Sequence, residues 1–254
     1  MKIIKIVFGV YDGCMKTLRI AAWSGPRNIS TAMMRSWENR PDTMVFDEPF
    51  YAHYLQETGL THPGFEEVLR HHQTDPIKII DLITEQNEFP VQYQKHMTHH
   101  LLPSVPRDWI GKMTNIFLIR HPREMLTSLL NQIPEPSIEE TGLPQQLALF
   151  ESLCIGGKTP IVLEGKDILQ DPCGVLTTLC KRLGIPFYDE MLTWPTGKRP
   201  SDGIWAQHWY ASVEASSCFA PWKPKDENVP AKLEALCLEC EDIYAQLRAH
   251  KMTL

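Results

Sequence analysis

The sequence predicts an α/β fold in three layers, in which a mainly parallel sheet lies between helices on both faces. Two observations predict it. Short apolar segments alternate with helical patterns along the 254 residues, and such alternation is typical of parallel βαβ units. Charged or hydroxyl-bearing residues also follow directly after several of these segments, where parallel strands commonly end beside a ligand.

The predicted strands and helices alternate in order along the chain. The strands span residues 17–23, 43–46, 91–98, 115–119 and 160–164. The helices span residues 29–39, 64–73, 76–86, 124–130, 145–154, 175–183 and 230–250. Pro41 ends the first helix, Pro122 suits the first turn of the fourth, and Gly184 suits the position just after the sixth.

Two further segments are predicted to be irregular. Residues 51–65 contain Pro, Gly and aromatic residues and are predicted to form a loop that lines a pocket. Residues 192–224 are rich in Pro, Trp and Gly. Their aromatic side chains could wall a binding pocket, stack on a base or form the core of a long loop, and the sequence leaves these alternatives open.

Composition fits one domain, which we place at residues 17–254, with a C-terminal helix in 226–254 for packing or for a homodimer. Hydrophobic residues make up 43% of the chain and charged residues 22%, as in ordinary globular proteins. The net charge of −6 argues against a nucleic-acid partner. The seven cysteines have no regular spacing and predict no disulfide framework. Cys237 and Cys240 lie in a helical pattern and are interpreted as packing residues.

Residues 1–16 are interpreted as an N-terminal extension. Their apolar stretch is interrupted by Lys2 and Lys5 and is too short for a membrane span or a signal peptide. Met15 is a candidate start, because the fold-like pattern begins at Thr17. No other segment of the sequence approaches the roughly 18 apolar residues of a membrane helix, so we expect a cytoplasmic protein without a membrane partner.

The segment 20–31 predicts an anion site. It reads as a buried strand, a tight turn and a helix that opens on Ser30 and Thr31. The first N–H groups of a helix lack intrahelical acceptors and bind phosphate or sulfate well. Arg27 adds a fixed positive charge. The Gly-Lys pair of a Walker loop is missing, because Ile29 and Ser30 stand in its place.

A second anion motif follows the strand at 115–119. Arg120 comes directly after the strand and Ser128 lies about two helical turns later. An arginine and a hydroxyl in this arrangement can hold a second phosphate. Because ligands bind beyond the carboxyl ends of parallel strands, one pocket could collect the segments 24–31, 47–50, 95–100 and 120–128.

Both motifs resemble those of PAPS-dependent sulfotransferases, which have a P-loop-like fold. Ser-Gly-Pro-Arg-Asn-Ile-Ser-Thr at 24–31 resembles their 5′-phosphosulfate loop. Phe-Leu-Ile-Arg-His-Pro-Arg-Glu-Met-Leu-Thr-Ser at 117–128 resembles their 3′-phosphate motif. Residues 162–187 and 197–205 are similar to the strand–helix segment and the late basic loop of the family. The resemblance covers roughly 17–222 in the same order.

The resemblance implies transfer of a sulfuryl group from PAPS to a hydroxyl, or less readily an amine, of a small organic acceptor. It assigns the 5′-phosphosulfate to Arg27, Asn28, Ile29, Ser30 and Thr31. It assigns the 3′-phosphate to Arg120 and Ser128, with help from Lys198 or Arg199. Ile29 stands where the family has glycine, so we expect a negative φ there, since a β-branched residue resists the alternative.

The catalytic base has several candidates. Glu48 follows the second strand and resembles the glutamate base of carbohydrate-type and bacterial members, and aromatic neighbours could raise its pKa. His96 resembles the histidine base of other members after a shift of one residue. Asp47 and His99 are alternatives. Lys95 could assist at the bridging oxygen, and we expect no metal.

Two other functions remain open on the sequence. A nucleotide-dependent kinase would use Ser30 or Thr31 on Mg²⁺, although the Gly-Lys pair and a clear acidic partner are missing. A sulfotransferase-like binding domain that has lost its base is the other. The sequence does not identify the acceptor.

Overall fold

The computed structural model describes residues 17–224 and 228–253. Its sheet has five strands: β1 (Leu18–Ser24), β2 (Thr43–Asp47), β3 (Val91–Met97), β4 (Thr114–Ile119) and β5 (Ile161–Glu164). The strands pair in the order β2-β3-β1-β4-β5, and every pair is parallel. The predicted fold class is therefore confirmed, and all five strands end at one edge of the sheet.

The helices connect these strands. They are α1 (Ser30–Glu38), α2 (Tyr51–Thr58), α3 (Phe65–His71), α4 (Pro76–Thr84), α5 (Pro122–Leu129), α6 (Leu143–Ile155), α7 (Gly165–Gln170), α8 (Pro172–Leu183), α9 (Ala206–Trp209), α10 (Ala211–Glu214) and α11 (Glu234–Arg248). Pro122 begins α5, and Gly184 ends α8 with a φ of 71°, as the sequence predicts.

The alternation of side chains along the strands separates two cores. Ile20 and Ala22 of β1 face α1, α2, α3, α7 and α8, whereas Ala21 and Trp23 face α4, α6 and α11. A smaller cluster joins α5 to α6 and α11, and it includes Cys237 and Cys240. Burial raises the pKa of these two thiols to about 11 and about 12, which fits packing residues.

Several predicted boundaries differ from the structure. The segment 51–65 is not wholly a loop, because it begins with α2, which ends at Gly59 with a φ of 68°. The segment 192–224 includes the single turns α9 and α10. Residues 1–16, with Met15, lie outside the described residues. Within the described parts of the chain, no helix is both long and apolar enough to span a membrane.

Candidate active site

A cavity of about 680 Å³ lies at the carboxyl edge of the sheet. The turn between β1 and α1 and the start of α5 form one end, and the residues after β2 and β3 form the other. Its lining includes Arg27, Asn28, Ile29, Ser30, Thr31, Glu48, Lys95, Arg120 and Ser128. One cavity therefore collects residues from the four segments that the sequence analysis placed together.

The turn before α1 has a left-handed backbone at two non-glycine residues. Arg27 has a φ of 59° and Ile29 a φ of 49°, so the expectation of a negative φ at Ile29 was wrong. The Ile29 side chain packs against the core on the α1 face of the sheet, and this burial offsets the backbone strain. Glycine serves a different purpose in this turn. A Cβ at Gly25 would lie 2.3 Å from the carbonyl oxygen of Thr141.

The turn presents the start of α1 to the cavity. The Asn28 side chain donates through Nδ2 to the carbonyl oxygen of Leu118 at 2.7 Å and fixes the turn on β4. The residue before α1 is Ile29, whose apolar side chain cannot cap the helix. The N–H groups of the first turn therefore donate no hydrogen bond to that side chain. Ser30 and Thr31 line the cavity beside them. This end of the cavity is suited to an anion.

Two arginines add positive charge to the same end. Arg27 donates through Nε to Ser128 Oγ at 2.9 Å, and Arg120 donates through Nη1 to the carbonyl oxygen of Arg27 at 2.7 Å. Burial and the charge of Arg120 lower the pKa of Arg27. Glu124 accepts two hydrogen bonds from Arg120, each 3.1 Å long. The turn and α5 are thus joined into one positively charged unit, which we call the anion clamp because its two arginines suit a bound anion.

Lys198 and Arg199 lie outside this clamp, contrary to the expectation from the resemblance, and neither lines the cavity. Lys198 is exposed. The segment around it is held against α1, because Arg35 is buried and donates to Asp202 at 2.7 Å. Lys223 lines the cavity instead.

The other end of the cavity contains a buried cluster of charges. Lys95 Nζ donates to Asp47 Oδ1 at 2.9 Å and to Glu48 Oε1. It also lies 2.6 Å from the hydroxyl of Tyr210, which in turn lies 2.7 Å from Asp47 Oδ1. The backbone of Glu48 has a φ of 42° and turns its carboxylate toward Lys95. All three N–H donors of Lys95 thus have protein partners.

These neighbours set the protonation of the cluster. Burial raises the pKa of Glu48, the charge of Lys95 opposes that shift, and Asp47 adds to it. Burial alone would lower the pKa of Lys95, but Asp47 and Glu48 outweigh it, so the pKa is raised. Lys95 therefore remains an ammonium, and Glu48 is the carboxylate whose proton affinity is increased.

Comparison with known protein families shows which family this chain belongs to. The sulfotransferase domain family matches residues 18–238. The chain belongs to this family. Two solved structures share the fold of this sulfotransferase domain. The sulfotransferase domain of the Synechococcus PCC 7002 olefin synthase has a TM-score of 0.54 at 18% identity, over 92% of this chain and 96% of that one. A sulfotransferase from Alicyclobacillus acidocaldarius has a TM-score of 0.55 at 12% identity, over 94% and 98%.

Two relatives come from Arabidopsis thaliana. Branched-chain-amino-acid aminotransferase-like protein 1 is 34% identical over 232 residues, which are 91% of this chain and 42% of that protein. Branched-chain-amino-acid aminotransferase-like protein 2 is 33% identical over 232 residues, or 91% and 41%. The sulfotransferase domain therefore spans about two fifths of the length of these relatives.

His96, the alternative base, does not line the cavity of the sulfotransferase domain. Successive residues of a strand point to opposite faces, so His96 lies on the face opposite Lys95. Its ring stacks on Trp23 at a centroid distance of 4.4 Å, and Nε2 lies 3.0 Å from Gln94 Oε1. Burial, followed by the charge of Lys95, lowers its pKa to about 3. This geometry is that of a packed core histidine.

His99 and His100 do line the cavity. His100 Nδ1 lies 3.8 Å from Glu48 Oε2 and has no hydrogen-bond partner among the described residues. Burial lowers the pKa of His100 well below its ordinary value, and the neighbouring His99 lowers it further. A neutral imidazole therefore stands beside the carboxylate of Glu48. Within residues 17–224 and 228–253, no group of three His, Cys, Asp or Glu side chains could hold a metal ion.

The tryptophans of 194–222 divide between the alternatives left open by the sequence. Trp194 and Trp205 are buried in the core on the α1 face, whereas Trp209 and Trp222 line the cavity. Tyr210 belongs to the same aromatic segment and also lines the cavity, but the sequence analysis did not predict its contact with Lys95. It also did not single out Tyr54 and His62, which lie in the segment expected to line a pocket and do line it.

Proposed function

We propose that this sulfotransferase domain transfers a sulfuryl group from PAPS to a hydroxyl of a small organic acceptor and releases 3′,5′-ADP. One observation carries the proposal. A single cavity holds an anion clamp made by Arg27, Arg120 and Ser128 at one end and the buried carboxylate of Glu48 at the other. A two-phosphate donor and a nucleophilic acceptor require such neighbouring environments.

The charge of the clamp supports PAPS as the donor. Two guanidinium groups share this end of the cavity with the carboxylate of Glu124, and burial together with the charge of Arg120 lowers the pKa of Arg27. Arg27 and the N–H groups at the start of α1 would hold the 5′-phosphosulfate. Arg120 and Ser128 would hold the 3′-phosphate, with Lys223 nearby. PAPS would supply the sulfuryl group on a good leaving phosphate, and the clamp stabilises charge there.

Glu48 is the proposed base. An acceptor hydroxyl that lies about 2.8 Å from both Glu48 Oε2 and His100 Nδ1 fits the observed separation of 3.8 Å between these atoms. The hydroxyl would donate to Glu48 while it accepts from the imidazole N–H. The raised pKa of Glu48 increases its affinity for the proton that leaves the acceptor.

Lys95 acts on this step through its charge. Its donors are occupied by Asp47, Glu48 and Tyr210, so contact with the bridging oxygen would require it to exchange one partner. A hydroxyl is favoured over an amine because an alkylammonium, with a pKa of about 10, has no lone pair with which to attack at pH 7. A neutral hydroxyl has such a lone pair and gives its proton to Glu48 as its bond to sulfur forms.

Binding of three nucleotides separates this proposal from a kinase. We expect selective affinity for 3′,5′-ADP over 5′-AMP and over ATP with Mg²⁺, measured by calorimetry. Arg120→Ala should weaken 3′,5′-ADP binding by about ten- to a hundred-fold, the value of one charge-assisted contact. Arg70→Ala, on the surface of α3, is the matched control. Equal or tighter binding of ATP with Mg²⁺ would contradict the proposal.

Turnover separates an enzyme from a binding domain. The two relatives that are named aminotransferase-like are more than twice as long as the region that matches this chain, so their name describes a longer protein. An acceptor screen with PAPS should detect sulfated product with at least one alcohol or phenol. Nucleotide binding without turnover on any acceptor would instead support a domain that only binds.

A further inference from the structure

Aromatic side chains line the cavity near His100, whose ring centroid lies 4.7 Å from that of Tyr54. The lining there includes Tyr54, His62 and Trp209. The ring centroids of Tyr54 and His62 are 6.2 Å apart, as are those of His62 and Trp209. We call these three residues with Glu140 the distal chamber. Its rings offer π faces on which either an apolar group or a cation can rest.

Glu140 gives this chamber its charge. The residue lines the cavity, and its charge raises the pKa of Tyr54, where burial is the larger cause. It also opposes the lowering of the His62 pKa by burial. Glu140 Oε2 accepts a hydrogen bond from the backbone N–H of Ser137 at 2.8 Å. That bond uses one oxygen of the carboxylate, and the Glu140 side chain lines the same cavity as the three rings.

The neighbouring groups leave this end of the cavity negative. Burial lowers the pKa of His62 and, more strongly, those of His99 and His100, so these imidazoles are neutral at pH 7. The ammonium of Lys95 is paired with Asp47 as well as with Glu48. At this end of the cavity, the carboxylates of Asp47, Glu48 and Glu140 therefore outnumber the ammonium of Lys95.

We infer that the acceptor is an amino alcohol or aminophenol whose ammonium lies among Tyr54, Trp209 and Glu140 while its hydroxyl reaches Glu48. The inference rests on the proposed function and names its substrate class. A cation over an aromatic face is stabilised by the ring quadrupole, and a nearby carboxylate adds to it. A carboxylate at the same place would be repelled by Glu140. The ammonium thus selects the acceptor, and the hydroxyl receives the sulfuryl group.

Acceptors matched in shape and different in charge test this inference. Tyramine, para-ethylphenol and para-hydroxyphenylacetate form an aromatic set, and ethanolamine, propanol and glycolate form a short aliphatic set. The readout is kcat/KM for sulfated product with PAPS. We expect the cation to exceed the neutral compound by about tenfold in at least one set, from a cation–π contact and one nearby carboxylate, and the anion to be the poorest.

A pair of adjacent glutamates supplies the matched variants. Glu140→Gln keeps an amide oxygen that can accept from Ser137, so the turn is retained, but the charge is lost. The ratio of tyramine to para-ethylphenol, or of ethanolamine to propanol, should fall about tenfold. Glu139→Gln removes an exposed charge one residue away that does not line the cavity, and its ratios should match wild type.

The outcomes separate the inference from the proposed function. If the neutral or anionic acceptors are sulfated with a kcat/KM equal to or above that of the cations, the inference is wrong and the proposed sulfuryl transfer is still supported. Turnover that prefers cations equally in wild type and Glu140→Gln also overturns the inference. If no compound is sulfated, calorimetric titration of the full chain in 3′,5′-ADP with the same sets decides. Preferential binding of the cations that Glu140→Gln abolishes supports the inference even then, and its absence overturns it.

Discussion

Backbone strain marks the candidate site at the level of single residues. Among the described residues, Arg27, Ile29 and Glu48 are the non-glycine positions with positive φ, and all three line the cavity. Such conformations cost of order 1–3 kcal/mol each and persist where the surroundings fix them. Packing of Ile29 on the core and pairing of Glu48 with Lys95 supply that support. A local rule about β-branched residues missed this, because tertiary packing outweighs backbone preference.

Gly25 is the residue of the turn before α1 at which close packing requires a glycine. A Cβ there would lie 2.3 Å from the carbonyl oxygen of Thr141, so Gly25→Ala must displace backbone. We expect the free energy of unfolding to fall by about 1–3 kcal/mol, the usual range for overpacking, in denaturant titrations. Gly111→Ala is the control, since a Cβ there has no neighbour within 4 Å. Equal stability of the two variants would contradict the role given to Gly25.

Glu48 should control the rate of sulfuryl transfer. Glu48→Gln keeps the shape of the side chain and removes the base, so kcat should fall by about 10²–10⁴-fold, as for other general bases. Single-turnover kinetics with PAPS and an accepted hydroxyl compound measure this. Glu57→Gln, at an exposed position of α2, is the control. Near-normal kcat in Glu48→Gln would show that another group accepts the proton.

The pH dependence of kcat follows from the same residue. Burial raises the pKa of Glu48 above the ordinary 4.5 of a glutamate, and only the ionised form accepts a proton. Activity should therefore fall as the pH drops, with a midpoint above 4.5. A pH profile of kcat checks the direction, and a midpoint at or below the ordinary value would contradict the raised pKa.

At the level of elements, strand parity decides which residues of β3 reach the site. Tyr93 packs against the core on the α1 face and Lys95 points the same way, whereas Gln94 and His96 point to the α4 face. A two-residue period allows Lys95 or His96 at the site, not both. The alternation of side chains along β3 could be inferred from the sequence, but proposing both Lys95 and His96 for the site ignored it.

The sheet, and the placing of Arg27 and Arg120 at the ends of its strands, could be predicted because their causes are local. Buried apolar segments predict strands, and Arg120 and Ser128 are fixed by the strand and helix around them. Residues from distant segments could not be placed in this way. Lys223 instead of Lys198 reaches the cavity, and Tyr210 meets Lys95 across 115 positions of sequence. Such contacts depend on the packing of long loops, which a local sequence pattern does not predict.

The turn before α1 and helix α5 should act as one unit in nucleotide binding. Ser128 Oγ accepts from Arg27 Nε at 2.9 Å, so Ser128→Ala removes a hydroxyl that orders the arginine and that we propose as a ligand for the 3′-phosphate. We expect 3′,5′-ADP affinity to fall about tenfold, as for one hydrogen bond to a charged group. Thr127→Ala is the control, because its hydroxyl bonds within α5 to the carbonyl oxygen of Arg123. Equal affinities in calorimetry would exclude this role.

At the level of the whole molecule, α11 and the residues that follow it pack against the edge strand β5. Helix α11 packs on α6 and α5, and the N–H of Met252 donates to the carbonyl oxygen of Val162 in β5 at 2.8 Å. Glu164, the last residue of β5, accepts from Tyr244 and Lys251. These contacts give α11 a packing role, and the predicted homodimer stays a prediction.

Tyr244 should therefore stabilise the fold in a pH-dependent way. Burial raises the pKa of Glu164, but the hydrogen bonds from Tyr244 and Lys251 outweigh it and leave the pKa below its ordinary 4.5. A carboxyl with a lowered pKa in the folded state contributes stability above its unfolded pKa and loses it as the pH falls through the folded value. Tyr244→Phe should lower the free energy of unfolding by about 1.5–3 kcal/mol at pH 7, as for a hydrogen bond to a charged group.

That loss should shrink as the pH falls below 4.5, because protonation of Glu164 removes the charge that the hydroxyl stabilises. Denaturant titrations of wild type and variant at neutral and acidic pH measure both effects. Tyr188→Phe is the matched control, at a half-buried ring that lies 4.7 Å from the Arg40 guanidinium, and its effect should be small and independent of pH. A loss in Tyr244→Phe that does not change between the two pH values would assign it to packing of the ring and not to Glu164.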